Sequence, residues 1–75
     1  MTLEQYLKNK QLSDNTVLLI EKLKQFSSED DYVIGTLMDV ETDSDKKKLL
    51  DYIENGKDVS YENIILYAME LDEEK

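Results

Sequence analysis

The sequence predicts an all-α fold, a compact single-domain bundle of about five short helices. Three observations predict it. Apolar residues recur at three- and four-residue spacing, a cap-forming residue precedes each such run, and nothing alternates with period two over more than a few positions. The 75 residues allow one domain, 1–75, and a chain of that length buries about 60 % of its unfolded surface without disulfide or metal staples.

Thr2 with Gln5 has the form of a capping box and opens a short helix over 3–10, with Leu3, Tyr6 and Leu7 on one side. The run Ser13-Asp14-Asn15-Thr16 starts a second helix reaching Phe26. Leu19, Ile20, Leu23 and Phe26 fall within one arc of it, with Glu21, Lys22 and Gln25 opposite. Ser27-Ser28-Glu29-Asp30-Asp31 combines cap residues with acids suited to the positive end of a helix, and opens a third helix to about Glu41. There Val33, Ile34, Leu37, Met38 and Val40 share a face, with Tyr32 on the far side.

Thr42-Asp43-Ser44-Asp45 starts a fourth helix that groups Leu49, Leu50, Tyr52 and Ile53. It ends at Asn55-Gly56, where Gly56 is expected in the left-handed conformation. Ser60, with Asn63 nearby, starts a fifth helix over Tyr61–Leu71, before the charged tail Asp72–Lys75, which is expected to fray. Tyr61, Ile64, Ile65, Tyr67, Ala68, Met69 and Leu71 cover about 200° of its circumference. A helix apolar over that much of its surface is normally surrounded, so the C-terminal helix is expected to be central. The strand competitor is Tyr32-Val33-Ile34, followed by Gly35, which costs about 1 kcal/mol inside a helix.

Eighteen acids against nine bases give a net charge of −9, and the chain has no His, Cys, Pro or Trp. The charge is uneven: residues 1–26 sum to +1 and residues 27–75 to −10. All the bases are lysines, so no guanidinium fork is available for phosphate or guanine recognition. The same bias leans towards an AT-rich coding genome; a bacterial or mobile-element origin is expected. The longest apolar runs, Val17–Ile20 and Ile64–Met69, fall far short of the roughly 20 residues that cross a bilayer. The start Met1-Thr2-Leu3-Glu4-Gln5 lacks the form of a signal peptide, and a cytoplasmic protein is expected.

Without histidine or cysteine, a serine or threonine nucleophile has no ordinary base, and a bundle of this size has little interior for a substrate pocket. No catalytic residue, cofactor or enzyme activity is expected. From Asp43 to Glu54 an EF-hand-like count places acids at positions 1, 3, 9 and 12, but Lys47 and Lys48 stand at positions 5 and 6. Position 6 needs glycine, so helix capping explains these acids better and no metal is expected.

Leu12-Ser13-Asp14-Asn15-Thr16-Val17 has the pattern of the turn and recognition-helix start of helix-turn-helix proteins, echoed by Val59-Ser60-Tyr61-Glu62-Asn63-Ile64. With Tyr6-Leu7, Leu23 and Phe26 the first stretch resembles the beginning of the helical core-binding domain of tyrosine recombinases, over about a third of the chain. The resemblance implies DNA binding through residues 1–26. This chain departs from the helix-turn-helix pattern at Leu7 and Gln11, where a small residue and a glycine are wanted, and from the recombinase domain, usually basic there, at Asp14 and Glu21. Duplex affinity comes largely from neutralised phosphates, so a nucleic-acid partner is not expected.

Three apolar residues lie off the core faces: Leu18 among Glu21, Lys22 and Gln25, Tyr32 opposite Val33 and Leu37, and Leu66 near Glu62 and Glu70. Together they are the candidate partner-binding residues. The expected function is a non-enzymatic protein–protein interaction or regulatory module, with a foreign protein or a second copy as partner. The alternative is an acidic nucleic-acid mimic inhibiting a DNA-binding protein, which requires Asp31, Asp39, Glu41, Asp51, Glu62 and Glu70 to share one face.

Overall fold

In the computed structural model, which describes residues 1–74, the chain forms α1 (Leu3–Leu7), α2 (Asp14–Lys24), α3 (Asp30–Asp39), α4 (Asp43–Asn55) and α5 (Tyr61–Glu73). No strand occurs among the described residues, so the architecture is the expected small all-α bundle. Its radius of gyration, 11.4 Å, matches the value of about 11 Å for a folded chain of this length.

Each helix starts for a local reason. The side chains of Thr2, Ser13, Thr42 and Ser60 accept the backbone N–H groups of Gln5, Thr16, Asp45 and Asn63, respectively. Each bond satisfies one of the donors that a helix leaves orphaned at its N-terminus. At Thr2 the Gln5 side chain accepts the Thr2 N–H in return, completing the capping box. Helix α3 starts differently. Its N-cap is Glu29, which makes no side-chain cap bond, while Ser27 Oγ accepts the Glu29 N–H at 3.1 Å just before it.

Helix ends depart from the sequence expectation. Helix α1 stops at Leu7 and not at Lys10, because a type II turn follows. Lys8 is extended, Asn9 takes φ 71°, and the Lys10 N–H donates to the Leu7 carbonyl at 3.0 Å. Asparagine is one of the few side chains that tolerate that left-handed position. Helix α2 ends at Lys24, where Gln25 and Phe26 close with tighter bonds to Lys22 and Leu23. Helix α3 stops at Asp39, where Val40 leaves helical backbone, and the Lys46 ammonium donates to the Glu41 carbonyl at 2.7 Å. Helix α5 runs on through Glu73, so Asp72 belongs to it; Lys75 of the expected tail lies outside the described residues.

Gly56 corrects a second expectation. It is extended (φ −70°, ψ 154°), not left-handed. Glycine is needed there for closeness: a Cβ would stand 2.5 Å from the Tyr52 carbonyl oxygen and 2.9 Å from the Tyr52 ring.

Helices α2 and α4 run side by side in the same direction. At their N-termini Asp43 accepts from Ser13 Oγ at 3.1 Å and from Asn15 Nδ2 at 3.0 Å; at their C-termini Lys22 lies 3.9 Å from Glu54. Helix α3 packs on α1, α2 and α5, and α5 packs on α3 and α4. The Leu3 N–H at the start of α1 donates to Asp30 Oδ2 at 3.0 Å, so an acid of α3 caps a different helix. Leu19, Leu23, Val33, Val40, Leu49 and Ile64 are the largest fully buried side chains. Ile64 and Ala68 of α5 are wholly enclosed, yet its apolar arc is wider than α3 and α4 cover. Tyr61 and Met69 of that arc therefore stay exposed, as does Leu66 outside it.

Candidate functional site

The face of α3 turned to the core is rotated from the one its sequence suggests. Tyr32, expected outside, is 6 % exposed; Met38, expected inside, is 54 % exposed. Helix α5 causes the exchange. It lies on the Tyr32–Thr36 flank of α3, while Met38 stands exposed just before α3 ends at Asp39. Thr36 is buried beside Tyr32 and its hydroxyl donates to the Tyr32 carbonyl at 2.8 Å, so the polar atom is satisfied inside the helix.

Tyr32 joins the two helices. Its ring stacks on that of Tyr61 with centroids 4.1 Å apart and planes 14° from parallel. Its hydroxyl donates to the Tyr61 backbone carbonyl at 3.2 Å. Burial, with Tyr61 adding to it, pushes the Tyr32 phenol up to about 12, so it stays a neutral donor.

A groove of about 530 Å³ lies along this seam. Tyr32 and Tyr61 form one end, Ile65 of α5 one wall, and Met38 of α3 the far lip. Between them Gly35 leaves a gap: a Cβ there would meet nothing within 4 Å. Glu29, Asp31 and Asp39 complete the lining, and no lysine belongs to it.

Two other concavities differ in charge. The α2/α4 groove is lined by Leu18 and Leu50 with Lys47, Lys48, Asp51 and Glu54. A smaller pocket, about 360 Å³, lies between α1, the loop after it and the end of α3, and carries Lys10, Glu41 and Lys46. Lys10 Nζ sits 4.7 Å from the Tyr6 ring centroid, and burial together with Glu41 raises the Tyr6 pKa. On the α4/α5 side Tyr52 and Tyr67 stack at 4.6 Å. Burial raises the Tyr67 pKa, and Asp51, Glu74, Glu70 and Tyr52 add to it.

Of the three sequence-derived candidates, Leu18 and Tyr32 line different grooves and Leu66 lines neither. Leu18 lines the α2/α4 groove at 38 % exposure, and Leu66 is 57 % exposed on the outer face of α5. Tyr32 lines the α3/α5 groove but is itself buried, which corrects its placement off the core face of α3. Gly35, Met38, Tyr61 and the half-buried Ile65 were missed as groove residues. The available signal was Gly35 itself, a helix-weakening residue at mid-helix whose missing side chain opens the seam.

The count of acids from Asp43 to Glu54 lies on α4, with Asp43 bound by Ser13 and Asn15. No helix of the described residues is long and apolar enough to cross a membrane. Comparison of the chain with protein-family models, with curated proteins and with solved structures finds no match.

Proposed function

We propose that the chain is a non-enzymatic interaction module that docks a partner protein in the α3/α5 groove. One observation carries this reading: an apolar gap at Gly35, between Met38 and Ile65, opens beside the stacked Tyr32–Tyr61 pair and has acids along its edge. Pre-organised apolar surface is what a docking site needs, since it binds without the cost of ordering itself.

The mimic reading asks for acids on one face. Asp31 and Asp39 border the α3/α5 groove, Asp51 the α2/α4 groove and Glu41 the pocket near α1, so this distribution favours docking over mimicry. DNA binding through residues 1–26 finds less support still. Helix α1 has five residues, and the start of α2 is engaged by Asp43.

Capture from extracts of the source cell, with wild type, Gly35→Gln, Leu18→Gln and Leu66→Gln as baits, tests the proposal. The expected partner is retained by wild type and by the Leu18 and Leu66 variants, and lost with Gly35→Gln. Equal retention by Gly35→Gln contradicts it.

A further inference from the structure

We infer that the occupant of the α3/α5 groove is a basic amphipathic helix of a partner protein, seated with apolar side chains over Gly35 and Ile65 and with lysines or arginines beside Glu29 and Asp31. This rests on reading the groove as a docking site and adds the chemistry of what it takes.

Charge argues first. The chain as a whole is acidic, yet the other concavities mix lysines with acids; in this groove every charged lining residue is an acid. Glu29 makes no cap bond with its side chain, although it stands at the N-cap of α3, and Asp31 is exposed. Two carboxylates thus flank the positive end of α3 on the groove side. An apolar partner with acidic flanks meets repulsion there, and one with basic flanks meets complementary potential. A second copy of this chain would bring another −9 against the −9 already present, which opposes self-association.

Shape argues next. The groove is a seam between two helices whose N-termini meet at Tyr32 and Tyr61. A third helix fills such a seam by laying an apolar stripe into it. The absent Cβ at Gly35 lets a side chain or backbone of the partner approach α3 closely. Met38, unbranched and exposed, adapts its side chain to the guest. Helix α3 has ten residues, about 15 Å, so about three turns of partner helix cover it.

The test is an amide-resonance titration of the full chain with three synthetic 14-residue peptides of helical pattern: leucine with lysine, leucine with glutamate, and serine with lysine. The leucine–lysine peptide is expected to move the resonances of Gly35, Met38, Tyr61 and Ile65 and to saturate. The serine–lysine peptide is expected to bind about tenfold more weakly or worse. Glu29→Gln with Asp31→Asn should weaken the leucine–lysine complex about five- to tenfold, and Gly35→Gln should abolish the groove shifts. The double substitution adds no bulk, so it keeps the test decisive if Gly35→Gln fails to fold.

Shifts spread evenly over Asp51, Glu62 and Glu70 with either lysine peptide overturn the inference, because they report charge alone. Groove shifts with leucine–glutamate but not with leucine–lysine overturn the basic partner and leave the docking reading standing. No groove shifts with any peptide at millimolar concentration overturn both.

Discussion

The ring of Tyr32 lies 4.1 Å from that of Tyr61, and its hydroxyl donates to the Tyr61 carbonyl. One side chain thereby joins α3 to α5 through both an aromatic and a polar contact. Tyr32→Phe keeps the stack and removes the hydrogen bond, at an expected cost of about 1 kcal/mol. Tyr32→Ala removes both and should cost about 3–5 kcal/mol. Urea unfolding of the two variants checks the difference.

The same residue sets an alkaline limit. Its pKa is raised from 10.0 to about 12 in the folded chain. Between those values the unfolded state has released the proton and the folded state has kept it. The stability that Tyr32 contributes is therefore fully present below pH 10 and is lost as pH rises through 12, as linkage requires. Urea midpoints from pH 9 to 12 should decline, and Tyr32→Phe should flatten the decline. A midpoint independent of pH in the wild type contradicts this.

The two glycines should respond in opposite directions. A Cβ at Gly35 meets nothing within 4 Å, so Gly35→Ala should stabilise by about 0.5–1 kcal/mol and raise the melting temperature by a few degrees. A Cβ at Gly56 meets the Tyr52 carbonyl oxygen at 2.5 Å, so Gly56→Ala should destabilise, by about 1–3 kcal/mol. Thermal melts of the pair decide it.

Asp43 ties the starts of α2 and α4 through Ser13 and Asn15. Asp43→Ala should cost about 1–2 kcal/mol, more than an exposed acid elsewhere. In a double-mutant cycle with Asn15→Ala, the two losses should sum to more than the double variant's. Strict additivity would show that the contact carries no energy.

Much of the fold was legible because its signals are local. Thr2, Ser13, Thr42 and Ser60 each cap the helix their neighbours begin, and Leu19, Leu23, Leu49 and Ile64 fall on arcs that point inward wherever the helices go. The site was less legible because it depends on placement. Whether the Tyr32 flank or the Met38 flank of α3 is covered is decided by where α5 lies, and periodicity within α3 carries no information about that. Asn9 and Gly56 were misread for a related reason. The turn after α1 depends on a short-range bond from Lys10 to Leu7, and the need for glycine at 56 arises from the Tyr52 ring and carbonyl.

The groove exists only if α3 turns Tyr32 towards α5 and Met38 away from it. Relaxation by a soluble paramagnetic agent, measured on the Met38 methyl and the Tyr32 ring protons, tests that directly. The expected result is strong relaxation at Met38 and protection at Tyr32; strong relaxation at Tyr32 with a protected Met38 would contradict it.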